Sequence, residues 1–224
     1  MGVSLKSVIR RNYYLNIFCS TLLLKWKQLR SLRSLDLKND AQGHLSKDII
    51  GQHNHISISR GCRLNNLHVR IRGNNNRIVI KENCRFGEGC SIWAEGNDIE
   101  IIIGEDCTFT MLCHFNAQEN STKITIGRDC MFSNNIIIRT SDSHPIFDLE
   151  TNKRINGPQN VNIGEHVWIA PNTKIMKGSN IADGCIVGSD TTVSRIFDKT
   201  NCLIVGRPAK IVKEGVCWTR EQLF

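Results

Sequence analysis

The hydrophobic residues of this chain follow a six-residue period over much of its C-terminal half. An aliphatic residue recurs at every sixth position in the series Ile163, Ile169, Ile175, Ile181, Val187 and Val193. Six is neither the period of an α-helix nor that of a simple strand. It is the period of a solenoid whose coils consist of short flat strands and tight corners. The pattern therefore predicts a parallel β-helix.

The same ladder of apolar residues is present upstream in shorter runs, which are Ile58/Leu64, Ile80/Phe86/Ile92, Ile103/Phe109/Phe115 and Ile126/Phe132/Ile138. Corresponding residues of successive runs lie 22 or 23 positions apart, whereas three hexapeptides would take 18. The additional residues fall in polar segments with the composition of turns, at 73–76, 95–98 and 118–121. The sequence thus predicts three-sided coils with one enlarged corner in the N-terminal half.

Small side chains occur four residues after the ladder positions. These are Cys62, Cys84, Cys90, Cys107, Cys113, Cys130 and Cys185, with Val167, Thr173, Ser179 and Thr191 at equivalent places. A position that accepts Cys, Val, Thr and Ser is expected to point inward at a crowded corner. Seven of the ten cysteines are therefore predicted to be core residues. Because no C-x-x-C or H-x-x-H spacing occurs, we expect no structural metal.

One long segment has no hexapeptide register. It comprises the 24 residues from 139 to 162, between the ladder residues Ile138 and Ile163, and it contains two prolines. A long irregular insertion in a regular solenoid is often functional. The segment carries His144, which we take as a candidate catalytic residue, although a lone loop histidine is more often only a solvated side chain.

The positive charge is concentrated at the N-terminus. The chain has 29 Lys+Arg and 21 Asp+Glu, and residues 1–40 contribute +6 of the net charge of +8. We predict a helix from Ser4 to about Leu35, apolar on one side and basic on the other. It would cover the body of its own protein, pack on a partner subunit, or lie on an anionic membrane surface. Nucleic acid is not an expected partner, because no zinc-finger, RRM or homeodomain pattern occurs.

The apolar run of this segment, residues 13–24, is short for a membrane span and is flanked by basic residues. No small-residue cleavage site follows it, so a secretory signal is disfavoured. We therefore expect a cytoplasmic protein whose cysteines are reduced. The protein would be free in the cytoplasm or lie at the inner face of the membrane.

Three blocks of residues resemble the hexapeptide-repeat acetyltransferases, and in particular the sugar O-acetyltransferases. They are TSDSHP at 140–145, NIGEHVWIAP at 162–171 and VGRPAKIVK at 205–213. Their order and spacing fit the family, including the gap of 24 from His144 to Trp168. The resemblance implies an all-β fold, a left-handed parallel β-helix. It further implies acetyl transfer to sugars of a capsule, lipopolysaccharide or exopolysaccharide.

The resemblance also implies roles for individual residues. His144 matches the general base that takes the proton from the sugar hydroxyl, a task suited to an imidazole. Trp168 matches a tryptophan beside that histidine, or else packs against a neighbouring subunit. Asn116 resembles an asparagine that binds the acceptor sugar. Asp142 would bind the sugar, orient His144 or cap the loop.

The donor implied by the resemblance is acetyl-CoA, which calls for cations near its phosphates. Residues matching the family's donor site are Ser189 and Ser194 along the pantetheine arm and Arg195, Lys210 and Lys213 near the phosphates. Two donor-site residues depart from the family, Ala170 and Arg207, and Arg207, where a neutral residue is common, would add a phosphate contact. Each cation could instead be a solvated charge. Ala170-Pro171 replaces a common glycine, and since proline offers no N–H, hydrogen bonding of CoA there is in doubt.

The family resemblance implies a homotrimer with active sites between subunits and a carbohydrate acceptor. We expect three regions: a basic helical extension at 1–50, a β-helix acyltransferase domain at 51–196 with the active-site loop at 139–162, and a C-terminal cap or tail at 197–224. Two other functions remain open. One is N-acetylation of a nucleotide-linked amino sugar, and the other is a non-catalytic β-helix that serves in assembly.

Overall fold

The computed structural model describes residues 13–222 of the chain, with side chains from residue 17 onward. It begins with one helix, α1, at Tyr13–Arg33. The predicted helix is thus present, and its expected first residues, 4–12, lie outside the described part. No helix between residues 13 and 222 is long and apolar enough to cross a membrane.

Short strands follow the helix in regular succession. In chain order they are β1 Asp36–Asn39, β2 Gln42–Ile50, β3 His55–Ile58, β4 Arg63–Arg72, β5 Arg77–Ile80, β6 Arg85–Phe86, β7 Ser91–Glu95, β8 Glu100–Ile103, β9 Thr108–Gln118, β10 Lys123–Ile126, β11 Met131–Arg139, β12 Val161–Ile163, β13 Trp168–Ile169, β14 Lys174–Ile175, β15 Asn180–Ile181, β16 Ile186–Val187, β17 Thr192–Val193, β18 Ile196–Phe197, β19 Cys202–Gly206 and β20 Ala209–Glu214.

These strands form the three sides of a prism. Side 1 is a parallel sheet in the order β1-β3-β5-β8-β10-β12-β15-β18. A second sheet covers the other two sides, because its long strands β4, β9 and β11 bend across a corner. Side 2 contains 85–86, 108–109, 131–132, 168–169 and 186–187, and side 3 contains 91–95, 114–118, 137–139, 174–175 and 192–193. Only β20 runs antiparallel to its neighbour, β19.

The apolar ladder forms the interior of this prism, as the periodicity predicts. Every ladder residue from Ile58 to Val193 is buried, and the most exposed, Leu64, has only 4% of its surface exposed. Phenylalanines stack along the axis, with ring centroids 4.6 Å apart for Phe86 and Phe109 and 4.8 Å for Phe109 and Phe132. The β-helix expected from the six-residue period is therefore confirmed.

The predicted inward cysteines are all buried, and their thiols have a further role. The Sγ atoms of Cys84, Cys107 and Cys130 donate to carbonyl oxygens one coil further on, at 3.0, 3.1 and 3.1 Å. The hydroxyl of Ser179 does the same to Val193 at 3.1 Å. The position therefore favours a small side chain that can also donate a hydrogen bond. All ten cysteines are free.

Two expected boundaries differ from the structure. Residues 36–50, assigned above to the helical extension, already form β1 and β2, which pair with β3 and β4. They lack the signal of the ladder because Gly43 and Lys47 of β2 pair with Leu64 and Val69 of the next coil, so neither ladder position of β2 carries an apolar side chain. At the other end, residues 197–206 still belong to the sheets, and buried Cys202 precedes Ile204 as Cys185 precedes Val187.

The C-terminal tail caps its own prism. The Trp218 indole stacks on His166 with ring centroids 4.1 Å apart, and its Nε1 donates to the His166 carbonyl at 2.9 Å. Arg220 donates to Asp129 and to the Thr108 hydroxyl, both at 2.9 Å. These contacts attach the end of the chain to the coils of its own prism.

Candidate active site

The irregular insertion predicted at 139–162 lies at the corner between sides 3 and 1 and is fastened to the coil beneath it. The buried Thr140 hydroxyl donates to the Gln118 carbonyl at 3.0 Å and accepts from the Gln118 N–H at 2.8 Å. Further along, the guanidinium of Arg154 donates both Nη atoms to Glu119, at 2.5 and 2.7 Å. This ion pair lowers the pKa of Glu119 to about 2.

Asn156 holds the two arms of the insertion together. Only 8% of its surface is exposed. Its Nδ2 donates to the His144 carbonyl and to Asp142, both at 2.9 Å, and its Oδ1 accepts from the Ile146 N–H at 2.7 Å. One amide therefore fixes the main chain on both sides of the Pro145 peptide. Asn156 thus determines where the backbone of His144 lies.

Asp142 belongs to the same network. Lys177 donates to its carboxylate at 2.5 Å and also to the Asn156 carbonyl at 3.0 Å. The hydrogen bond from Lys177 lowers the pKa of Asp142 below its ordinary value. Its contacts are those of a residue that holds the loop, one of the roles considered above, and they run to Lys177 and Asn156 rather than to the imidazole of His144.

His144 stands at the edge of a polar cavity. The cavity has a volume of about 560 Å³ and is lined by Glu95, Gly96, Gln118, Glu119, Asn120, Ser143 and His144. The His144 side chain is exposed, and its ring nitrogens make no hydrogen bond to any residue within 13–222. An exposed imidazole beside a cavity of this size can accept a proton from a bound hydroxyl.

Asn116 lies on side 3, next to this loop. It lines a second cavity of about 380 Å³ together with His68, Ser91, Trp93 and His114. Its strand neighbours in register are Trp93 and Arg139. Arg139 in turn donates to the Ser143 hydroxyl at 2.7 Å, beside His144. The structure thus brings two of the predicted site residues, Asn116 and His144, to one side of the prism.

Side 3 also carries buried donors without partners. They are the Nε atoms of Arg70 and Arg139 and the Nε1 of Trp93, none of which has a hydrogen-bond partner in the described residues. The Arg70 guanidinium lies over the Trp93 ring, 4.9 Å from its centroid. Arg70, Trp93, Asn116 and Arg139 occupy one register position in four successive coils. The Arg70 Nε lies 3.4 Å from a carboxylate oxygen of Glu95. The column thus places two guanidinium groups and one amide along one side of the prism.

Trp168 lies away from His144 in the same chain. It belongs to β13 on side 2, where it pairs with Met131 and Ile186. Its ring centroid is 6.2 Å from that of Trp218, and its Nε1 is buried without a partner. A single chain therefore does not bring together the two residues predicted to be catalytic.

Several of the predicted donor-site residues meet at the corner between sides 2 and 3. The Ala170 N–H donates a hydrogen bond to the Val187 carbonyl at 2.8 Å, and the Asp190 N–H donates one to the Pro171 carbonyl at 2.9 Å. Ser189, next to Asp190, is exposed there. Arg207 donates to the Asp190 carboxylate at 2.9 Å, so its guanidinium is already paired.

The remaining predicted donor residues are separated into two groups. Lys210 and Lys213 are exposed on β20, which lies beside β19 at the end of side 2. Ser194 and Arg195 are exposed at a different corner, between β17 on side 3 and β18 on side 1. Within one chain the predicted donor residues thus do not line one continuous surface.

Four residues that hold the loop could not be predicted from the sequence: Asn156, Lys177, Arg154 and Glu119. No motif marks them, because the partners described above lie 10 to 35 positions away along the chain. In contrast, the column of Arg70, Trp93, Asn116 and Arg139 had a signal, since each is 23 positions from the next. The coil length of the early repeats gives this spacing directly.

The three-sided coils and the loop that carries His144 are features of a hexapeptide-repeat transferase. A family model for the bacterial transferase hexapeptide, with six repeats, matches residues 160–195. The polysialic acid O-acetyltransferase of Neisseria meningitidis is 37% identical over 174 residues, which cover 77% of this chain and 79% of that protein. The chain therefore belongs to the hexapeptide-repeat O-acetyltransferases, with their left-handed β-helix.

Two other similarities agree with this assignment. The crystal structure of the polysialic acid O-acetyltransferase OatWY matches with a TM-score of 0.72 and 33% identity, over 84% of this chain and 88% of that one. The polysialic acid O-acetyltransferase of Escherichia coli O1:K1 is 35% identical over 88 residues. That alignment covers 39% of this chain and only 28% of the length of the Escherichia coli protein.

Proposed function

We propose that this enzyme transfers the acetyl group of acetyl-CoA to a hydroxyl of a carboxylate-bearing bacterial surface polysaccharide, with His144 as general base. The observation that carries the proposal is the position of His144, held by Asn156 at the edge of a polar cavity. The similar proteins named above are all polysialic acid O-acetyltransferases, and polysialic acid has a carboxylate on every sugar.

In this mechanism His144 takes the proton of the acceptor hydroxyl as its oxygen attacks the thioester carbonyl. The C–S bond then breaks, and the imidazolium returns the proton to the departing thiolate. The unpaired ring nitrogens of His144 leave it free for both steps. No covalent acetyl-enzyme is needed, because the acceptor oxygen attacks directly.

An anionic acceptor suits the charges of side 3. Arg72 is paired with Asp48 and Arg70 lies 3.4 Å from Glu95, but Arg139 is hydrogen-bonded only to the neutral Gln118 and Ser143 within the described residues. Its charge is therefore available to a carboxylate beside the reacting sugar.

The active unit we propose is a trimer with a site between neighbouring subunits. In one chain His144 and Trp168 lie on different sides of the prism. Cyclic assembly apposes unlike sides of adjacent copies, so that His144 of one subunit would face Trp168 of the next. The same arrangement would join the two separated groups of donor residues along one cleft.

Mixed trimers test this proposal. His144→Ala and Trp168→Ala are each expected to lose at least about 100-fold in acetyl transfer, measured as CoA release with an acidic polysaccharide as acceptor. Co-expression of the two variants should restore about a quarter of wild-type activity, because a random trimer pairs the two intact residues at one site in four. Separately purified variants, mixed without subunit exchange, serve as the control.

Other outcomes would contradict parts of the proposal. Activity of His144→Ala near that of the wild type would refute the general base. A mixed trimer no better than its parents would refute the site between subunits. Turnover with an amino-sugar nucleotide but not with any polysaccharide would point to N-acetyl transfer instead.

A further inference from the structure

The helix α1 is attached to the prism only near its C-terminal end. Gln28 donates to Asp48 at 3.0 Å, and the Ser31 hydroxyl accepts from the Gly51 N–H at 2.9 Å. Ser31 has only 4% of its surface exposed. The preceding turns, in contrast, present large apolar side chains to solvent.

Four of these side chains form one stripe along the helix, while Leu23 and Leu24, 58% and 45% exposed, lie on other faces. Phe18, Leu22, Trp26 and Leu29 follow the spacing of four, four and three residues that aligns side chains on one face. Each of them is between 51% and 61% exposed. A contiguous apolar stripe of this length on a water-facing helix marks an interaction surface.

The charges around the stripe identify its partner. Residues 1–35 contain seven Lys and Arg and no Asp or Glu. Within the described helix the cations are Lys25, Lys27, Arg30 and Arg33. A second copy of the same helix would bring like charges together, whereas an anionic lipid surface would neutralise them. A tryptophan such as Trp26 is favoured in the interface between headgroups and acyl chains.

We propose that α1 docks this enzyme on an anionic phospholipid surface, with the stripe of Phe18, Leu22, Trp26 and Leu29 inserted among the acyl chains and the cations at the headgroups. The point of attachment through Gln28 and Ser31 leaves the rest of the helix free to make this contact. The proposal is independent of which acceptor the enzyme acetylates.

Vesicle co-sedimentation of the full-length protein tests it. We expect binding to vesicles of phosphatidylcholine with phosphatidylglycerol, and much weaker binding to phosphatidylcholine alone. The double variant Phe18→Ser/Leu22→Ser should lower the partition coefficient by more than about tenfold. Lys25→Gln/Lys27→Gln should lower it by about 25-fold, or about fivefold for each cation near the surface.

The matched control is Ile196→Ser/Val212→Ser, which replaces two apolar residues that are 66% and 57% exposed on the prism. It should bind as the wild type does. Absence of wild-type binding to the anionic vesicles would overturn the proposal. So would a helix double variant that lowers the molar mass in light scattering and leaves vesicle binding intact, because the stripe would then join copies of the chain.

Discussion

Asn156 gives the sharpest test of how the insertion positions His144. Replacing it by alanine removes the two Nδ2 hydrogen bonds to the His144 carbonyl and to Asp142, and leaves the Ile146 N–H without its acceptor. A fourth, longer bond from the Arg154 Nε at 3.2 Å is also lost, but Arg154 keeps its two bonds to Glu119. At about 1 kcal/mol for each of the first three bonds the loss is about 3 kcal/mol, equivalent to about 150-fold in the population of the ordered loop. The Arg154–Glu119 and Lys177–Asp142 pairs remain in the variant.

We therefore expect kcat for acetyl transfer to fall between about tenfold and 150-fold in Asn156→Ala. The melting temperature should change little, because the ladder of the prism is not touched. Asn156→Asp should be at least as impaired, since it replaces the donor by a carboxylate facing that of Asp142. The assay is CoA release at saturating acetyl-CoA, combined with thermal unfolding of the same samples.

The matched control is Thr151→Ala, which removes a 2.6 Å hydrogen bond to Asp148 at the exposed tip of the same insertion. This variant should keep nearly full activity. If Asn156→Ala retains kcat within about twofold of Thr151→Ala, the amide does not position His144. An equal loss in both variants would mean that activity depends on general order in the loop and not on Asn156.

Two further predictions concern the solenoid and the loop. Gly87→Ala should lower the free energy of unfolding, measured in urea, by more than about 3 kcal/mol. The reason is that its new Cβ would lie 1.5 Å from the Thr110 carbonyl oxygen. The control is Gly157→Ala, whose Cβ would have nothing within 4 Å. Folding lowers the pKa of Glu119 from its ordinary value near 4.5 to about 2. The stabilisation from the Arg154–Glu119 pair should therefore be complete above pH 4.5 and be lost as the pH falls from 4.5 through about 2. Limited proteolysis of the insertion as a function of pH measures this loss, and a profile in Glu119→Gln identical to that of the wild type would refute it.

The fold was largely predictable because burial repeats with the coils. An inward position must be apolar in every coil, so the ladder and the small corner residues recur at fixed intervals in the sequence. Prediction failed where the apolar pattern or the interval changes. In the first coil Gly43 and Lys47 take the positions of Leu64 and Val69, and Cys202 follows a shortened corner, so the core membership of Leu45, Ile49 and Cys202 was missed.

The two residues proposed to be catalytic show a different limit. His144 and Trp168 were proposed from the family motif, which specifies identity and spacing but not the side of the prism. In one chain they lie on different sides, and nothing in the sequence specifies which surfaces meet in an assembly. The geometry of a site between subunits depends on the apposition of two copies, which no periodicity within a single chain can encode.

The length of the coils determines which surface contacts can be predicted from a repeat sequence. Where coils are 23 residues long, any side chain stacks on the one 23 positions away, as Arg70, Trp93 and Asn116 do. Across the insertion, stacked residues lie 37 positions apart, as Met131 and Trp168 do, and after it they lie 18 apart, as Trp168 and Ile186 do. The residues within the insertion stack on no equivalent residue of another coil, so the contact between Asn156 and Lys177 depends on closure of the loop. The column that we propose to recognise a repeating polymer is thus encoded by the repeat, whereas His144, the proposed general base, lies where the repeat is interrupted.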